Sequence, residues 1–387
     1  MRLLPFDYAA RNAGRNPVRS ILMTLGAAAV VFLVILMGSF VQSMAGTMRS
    51  TGEPMNVMIV GLGSEDFVEQ SEISAAVPSI VPAAIDNIET LHGKPLVSPE
   101  IMHSAIITMP GRPVGNEAHK ILVRGVTDAA FLVHPQIFIT EGDAPRSGEI
   151  IVGGLAATRL NVPEESLAVG NVLTFENQAW TISGRFSAPG TAFDAEIWAP
   201  LEELKIQTKR DTYSSLVVRV KDKSGFAAID FFTKQRLNLE LASVRETAYY
   251  EGLAQFFKPV QVMGWIMAVL IVISGLFGGL NVMIAAIASR TRELACLETL
   301  GYSRRAIVIA LLQESLLQVG TGTLLSVMLA SYLLHGAAVR FTMGAVELAM
   351  TPDVLAAGMA AGFALALFGT LIPAMQFARR PLIDQLR

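Results

Sequence analysis

The sequence predicts a membrane α-helical protein with four transmembrane helices, arranged one plus three, and a large extracytoplasmic α+β domain. Apolar residues gather in four windows, 21–41, 260–288, 307–335 and 354–377. Each is long enough, at about 1.5 Å per residue, to cross a hydrocarbon core of about 30 Å. Between the first two windows lies a block, 44–258, whose mixture of charges, Pro and Gly reads as a folded domain. With 52% hydrophobic residues, 16% charged residues and a mean hydropathy of +0.48, the chain is too apolar for an ordinary soluble enzyme.

Residues 1–20 form a cytoplasmic amphipathic segment. Leu3, Leu4, Phe6, Tyr8 and Ala9 offer apolar contacts, and the nearby arginines can meet lipid headgroups. A basic topology signal and a partner-binding helix both fit this pattern. Pro17 fixes the approach to transmembrane helix 1, residues 21–43. A cleaved signal peptide is the rival reading, because Ser43, Ala45 and Gly46 follow the apolar run, but that run is longer than a signal core.

The orientation follows from the distribution of arginine. Arg2, Arg11, Arg15 and Arg19 stand against Asp7 before the first span; Arg290, Arg292, Arg304 and Arg305 stand against Glu293 and Glu298 between spans two and three. Arg379, Arg380 and Arg387 stand against Asp384 in the tail, whereas the loop between spans three and four has only Arg340, with Glu347 and Asp353. Positive-inside bias therefore places both termini and the 289–305 loop in the cytoplasm and the 44–258 block outside. Cys296, the single cysteine, falls in a cytoplasmic loop, so the outer domain must fold on its own core.

Within the outer block, runs at 56–60, 101–109, 120–126, 149–152, 172–175, 180–186 and 215–220 are rich in β-branched or aromatic residues and read as strands. Ile80, Ala84, Ile88 and Leu91 repeat at helical spacing, and 155–160 and 226–237 also read as helices. The Glu141-Gly142-Asp143-Ala144-Pro145 cluster suggests a break between two lobes near 140–150. Residues 245–257 are expected to form a helix that feeds directly into span two.

The remaining chain divides into transmembrane helix 2 (259–288), a cytoplasmic coupling loop or helix (289–305), transmembrane helix 3 (306–335), an extracytoplasmic loop (336–353), transmembrane helix 4 (354–377) and a cytoplasmic tail (378–387). Gly275 with Gly279, Ser326 with Ala330 and Gly358 with Gly362 are small residues at helix-packing spacing, which suits packing within one chain or a dimer seam.

No catalytic, cofactor-binding or metal-binding constellation emerges. The lysine of Gly93-Lys94-Pro95 is followed by Pro and lacks the upstream glycine of a phosphate-cradling loop. His92, His103, His119, His134 and His335 lack paired metal-ligand spacing, and Ser214 and Ser215 lack a nucleophile-elbow context. Glu314, beside Gln313, Ser315 and Gln318, is the lone carboxylate inside the apolar windows. At the bilayer centre it would cost about 2.5–3.5 kcal/mol. One such group is too few for an ion-coupled pump, so Glu314 reads as a structural polar residue paired with an arginine or a neighbouring helix end. In the 289–305 loop, Leu294, Leu297 and Leu300 fall three apart on a short charged segment that Gly301 can terminate. Such a segment is either a solvated turn or a helix that docks into a partner's groove.

The run Arg290-Thr291-Arg292-Glu293-Leu294, the Leu300-Gly301 pair, Ser303, Arg304 and Glu314 resemble the cytoplasmic segment of FtsX-like permeases, the MacB-type membrane subunits of ABC transporters. Gly148 to Gly153, Ala156 to Leu160, Val169-Gly170-Asn171, Trp180 to Gly184 and Glu196 to Pro200 are similar to the periplasmic core domain of that family. The resemblance covers essentially the whole chain, with no recognisable motif across 60–140. It implies a MacB-type core domain and a bacterial inner (cytoplasmic) membrane location. It further implies no ATP site in this chain, with ATP and Mg held by two copies of a cytoplasmic ABC ATPase. Arg292, Glu293, Leu294, Leu297, Leu300 and Gly301 would be the ATPase-coupling residues. A second permease copy or homologue, membrane lipid and a periplasmic adaptor or outer-membrane partner complete the implied assembly, with no nucleic acid. The implied function is ATP-driven movement of the outer domain for efflux or lipoprotein-type extraction. The alternative is a non-transporting transmitter of the division type that activates a cell-wall hydrolase. An outward-facing anchored enzyme is a third class, and the lack of a catalytic cluster counts against it.

Overall fold

A computed structural model describes residues 6–109, 120–341 and 344–379. The expectations placed on Arg2, Leu3 and Leu4, on the Phe6 side chain, on His119 and on Arg380, Asp384 and Arg387 lie outside the described residues. The chain divides into two compact units: residues 1–42, 259–337 and 348–387 form one, and residues 43–258 with 338–347 form the other. The first two helices are Phe6–Arg15 (α1) and Pro17–Thr51 (α2). The latter continues past residue 42 into the second unit.

The second unit is built on a ten-stranded mixed sheet. Its strands are β1 (Asn56–Gly61), β2 (Val97–Ile106), β3 (Lys120–Val126), β4 (Phe138–Gly142), β5 (Glu149–Gly153), β6 (Val172–Phe175), β7 (Gln178–Ser187), β8 (Ile197–Pro200), β9 (Ser215–Arg219) and β10 (Leu241–Arg245). Their order is β10-β1-β9-β2-β3-β8-β5-β7-β4, with β6 beside β7. The β3–β8 and β5–β7 pairs are parallel, and the other pairs in this sheet are antiparallel. Continuity of the sheet through β4 overturns the expected lobe break near 140–150. The Gly142 region is a strand end hydrogen-bonded to β7, and its turn-forming composition marks a sheet edge instead of a domain boundary.

The apolar run of β1 is uninterrupted because both faces of this strand are covered. Val57 and Ile59 enter the main core, and Met58 and Val60 enter a second core on the opposite face. In β7, Trp180 and Ile182 face the main core, yet Phe186, at the same parity, packs elsewhere. A register shift between Ile182 and Gly184 supplies the extra residue that turns the later part of the strand over.

Short helices cover the sheet: α3 (Val77–Ala84), α4 (Ala130–Val133), α5 (Ala156–Leu160), α6 (Leu201–Gln207), α7 (Lys223–Gln235) and α8 (Glu246–Phe256). The helical repeat expected through Ile88 and Leu91 stops at Ala84. Ile88 instead bridges Val220, and Leu91 lies in a two-residue strand. Asn87, which donates to Asp222 and to Ser224, fixes the turn that ends the helical path. In α8, Glu246, Tyr250 and Ala254 recur every four residues and form the buried stripe.

Where α2 and α8 join the sheet, the backbones nearly touch. A Cβ on Gly52 would lie 2.6 Å from Thr247 Cα and 2.9 Å from the Glu246 carbonyl oxygen, atoms that cannot rotate away. Gly52→Ala is therefore expected to destabilise this unit by about 1–3 kcal/mol. Urea unfolding followed by tryptophan fluorescence would show the lowered midpoint, and an unchanged midpoint would remove the close approach from the account.

The first unit continues with α9 (Lys258–Ala288), α10 (Thr291–Thr299), α11 (Arg304–Leu334) and α12 (Pro352–Ala378). The helices α2, α9, α11 and α12 are each long and apolar enough to cross a membrane. Small residues let them approach. Gly275 faces Val30, Gly358 faces Ile35 and Gly362 faces Thr323, while Gly279 faces open space. Ser326 also donates to the Ala28 carbonyl, so polar bonds supplement the packing. Between α11 and α12 the sequence suggested only a loop. The chain there forms a hairpin of β11 (Ala338–Phe341) and β12 (Gly344–Glu347) that belongs to the second unit. Ala345 and Val346 are buried, Arg159 Nη1 donates to the Phe341 carbonyl at 2.7 Å, and Phe257 meets the Phe341 ring edge-on at 5.4 Å.

Candidate functional site

The helix α10 is held by its ends and by one face. At its C-terminus Gly301 takes φ +93, a left-handed conformation that favours glycine. Tyr302 N donates to the Leu297 carbonyl at 3.2 Å and Gly301 N to the Glu298 carbonyl at 3.1 Å, the paired bonds of a Schellman stop. Ser303 then caps α11 by accepting from Ala306 N at 3.3 Å. Arg304 ties the turn down through Glu298 at 2.7 Å and the Ala378 carbonyl at 2.7 Å.

The expected apolar face does not stay on one side of α10. Steps of three residues in a helix drift by about 60° each, so Leu294 and Leu300 point about 120° apart. Leu294 is buried with Ile307, Leu311 and Phe377, and Leu297 packs partly against the same cluster. Leu300 is 73% exposed. Arg292, Glu293, Cys296 and Thr299 are also exposed, and Gly301 lies at the exposed end. The outward surface of α10 is therefore one leucine within a polar rim, and Leu294 and Leu297 hold the helix in place.

Beneath α10 lies Glu314, on the first turns of α11 and only 3% exposed. It accepts hydrogen bonds from Asn12 and Arg19, and from Arg290 Nη1 at 3.2 Å. Arg290 also reaches the Tyr8 hydroxyl at 3.4 Å and Glu293 at 3.5 Å, and Arg15 lies 3.5 Å from Glu293. One carboxylate thus gathers α1, α2, α11 and the residue that precedes α10. The sequence offered Glu314 and a choice of arginines. It gave no signal for Asn12, whose partner is 302 residues away.

A second cluster, unforeseen in the sequence, is buried in the extracytoplasmic unit. Arg124 donates from Nε and Nη2 to both oxygens of Glu196 at 2.7 Å and from Nη1 to Glu100 at 2.7 Å. Trp198 Nε1 donates to Glu196 at 3.0 Å. His134 Nε2 meets Glu100 at 2.9 Å, and its Nδ1 lies 3.5 Å from Glu246. Glu246 in turn accepts from Glu53 N at 3.0 Å and from Asn56 Nδ2 at 2.8 Å, tying the start of α8 to the segment after α2.

Burial alone would raise the Glu100 carboxyl, but His134 and Arg124 outweigh it and hold Glu100 at about 2. Burial also opposes the His134 cation, and Glu100 with Glu246 overcomes that and raises its pKa above 6.5, despite Arg124. Burial pushes Glu246 up, against His134 and its hydrogen bonds. The signs differ. The His134 contribution is complete below about 6.5 and is lost as pH rises through its raised value; the Glu100 contribution is complete above 4.5 and is lost as pH falls towards about 2. Glu246 works the other way, costing stability as it ionises. The extracytoplasmic unit is therefore expected to lose stability from neutral to alkaline pH, with His134→Gln flattening that slope. Unfolding monitored through Trp198, whose ring lies 6.2 Å from the His134 ring, would check it, and a slope unchanged in the variant would contradict it.

The family model described as MacB-like periplasmic core domain matches residues 20–230, and that of the FtsX-like permease C-terminal matches residues 265–382. The crystal structure of the periplasmic region of MacB from Actinobacillus actinomycetemcomitans is 11% identical, with a TM-score of 0.38 over 56% of this chain and 98% of that one. The extracellular domain of the noncanonic ABC-type transporter YknZ from Gram-positive bacteria is 11% identical, with a TM-score of 0.37 over 49% of this chain and 99% of that one. No curated protein matches the chain. The two family matches together take in both the core domain and the last three spans, and the chain belongs to the FtsX/MacB-type ABC transporter permeases, multi-pass inner-membrane proteins that work with a cytoplasmic ABC ATPase.

Proposed function

We propose that this chain is the membrane subunit through which a separate ATPase, binding ATP and Mg, moves the extracytoplasmic domain to export or extract a substrate from the periplasm or outer leaflet. Efflux of a small molecule and release of lipoprotein-type cargo both fit this action. The termini and α10 face the cytoplasm, two ATPase copies sit below a pair of permeases, and an adaptor or outer-membrane partner receives the cargo. The observation that carries this reading is the presentation of Arg292, Glu293 and Leu300 outward on a helix anchored beneath by Leu294 and Glu314. A partner pressing on that surface acts on a braced element, and α1, α2 and α11 share the brace.

Capture of the full chain from membranes is expected to bring an ABC ATPase with it. Arg292→Glu with Leu300→Asp should remove the ATPase while leaving the permease folded, since both side chains are exposed. Retention of the ATPase by this variant would remove α10 as the contact. Co-capture of a cell-wall hydrolase in place of a lipid, lipoprotein or small molecule would favour the division-type transmitter.

A further inference from the structure

The extracytoplasmic unit contains a cavity of about 250 Å³ between α2, α8 and the sheet. Met48 of α2 and Tyr249, Tyr250 and Leu253 of α8 form one side, and Met102 and Leu122 face them from the sheet. Three basic side chains, Lys120, Arg124 and Arg159, and two acidic ones, Glu69 and Glu196, supply the charge. The charges are not equivalent. Arg124 and Glu196 neutralise each other through two bonds, and Trp198 occupies Glu196 further. Glu69 lies exposed and accepts from Ser104 at 3.2 Å. Burial, and then the neighbouring Arg340, lower the pKa of Arg159.

We propose that this cavity binds a small amphipathic carboxylate, its apolar body against Met48, Met102, Leu122 and Leu253 and its anionic head between Lys120 and Arg159. The volume is below the usual 300–1,000 Å³ of drug-sized sites, which limits the occupant to about one ring or a short chain. A cationic ligand is disfavoured because both Glu196 oxygens are already engaged. The position gives binding a consequence. Walls come from α2, which leads out of the first span, and from α8, which leads into the second. Arg159 carries the Phe341 carbonyl of the hairpin between the last two spans. A ligand held here touches α2, α8 and the arginine that bonds the hairpin.

The test uses the full chain in lipid nanodiscs without ATPase or nucleotide, so its outcome is independent of the α10 contact. Fluorine NMR of para-trifluoromethyl phenylacetate is expected to show saturable broadening beyond that of empty nanodiscs. Lys120→Gln and Arg159→Gln should each raise the Kd about tenfold, and Leu253→Trp, which fills the cavity, should abolish saturation. Arg159 also bonds the Phe341 carbonyl, so the Lys120 variant separates loss of the head-group site from loosening of that hairpin bond. Absence of saturable broadening, equal binding of the neutral amide, or indifference to Leu253→Trp would overturn the proposal.

Discussion

Glu314→Ala is expected to destabilise the membrane unit by about 3–5 kcal/mol, because it leaves the Arg19 and Arg290 guanidinium groups without their shared carboxylate. The buried position decides the size of the effect. A surface ion pair contributes about 0–1 kcal/mol, and the more exposed Arg15–Glu293 pair belongs to that class. Glu314→Gln keeps the shape and some hydrogen bonds while removing the charge, so it should fall between wild type and alanine. Thermal unfolding in detergent would rank the three, and the proposed coupling adds a second readout. A folded Glu314→Gln chain should bind the ATPase normally and stimulate its ATP hydrolysis less, since α10 remains while its brace weakens. A wild-type melting temperature in Glu314→Ala would show that the contacts are dispensable.

Arg124→Leu should have a comparable effect in the extracytoplasmic unit, about 3–5 kcal/mol, because Glu100 and Glu196 would keep buried charges without their main partner. Arg124→Leu combined with Glu100→Gln and Glu196→Gln should recover part of that loss. The penalty lies in the uncompensated carboxylates more than in the missing arginine, and neutral amides remove it. Urea unfolding of the single and triple variants gives the comparison directly. If the triple variant is no more stable than the single one, the arginine contributes through packing, and its guanidinium 4.9 Å from the Phe193 ring centre becomes the better explanation.

The two clusters were unequally legible in the sequence. Gly301 announced the end of α10 because a left-handed stop needs a residue without Cβ, and the four apolar windows announced the spans by length alone. The β-branched runs of the outer domain located most of its strands. Glu314 was visible as a carboxylate that lipid would penalise, and its need for a cation followed from that penalty. Its partners did not, since Arg19 and Asn12 are brought to it by the packing of helices from opposite ends of the chain. The Arg124 cluster was invisible for the same reason. Its members lie on β2, β3 and α8, just before β8 and just after α4, and each looks like an ordinary surface residue among its sequence neighbours. The spacing of Leu294, Leu297 and Leu300 suggests one stripe, but the drift of a three-residue step carries Leu300 out to solvent. Edge strand β4 escaped notice because all five of its residues are exposed, leaving no alternation to read.

The proposed coupling requires that force applied at α10 reach the extracytoplasmic unit. Spin labels at exposed Arg49 on α2 and Gln255 on α8 report the distance between the two connections of that unit to the first pair of spans. With the captured ATPase present, that distance should differ between nucleotide-free and ATP-bound states, and the difference should vanish in Arg292→Glu with Leu300→Asp. A distance indifferent to nucleotide in the wild-type complex would contradict the account.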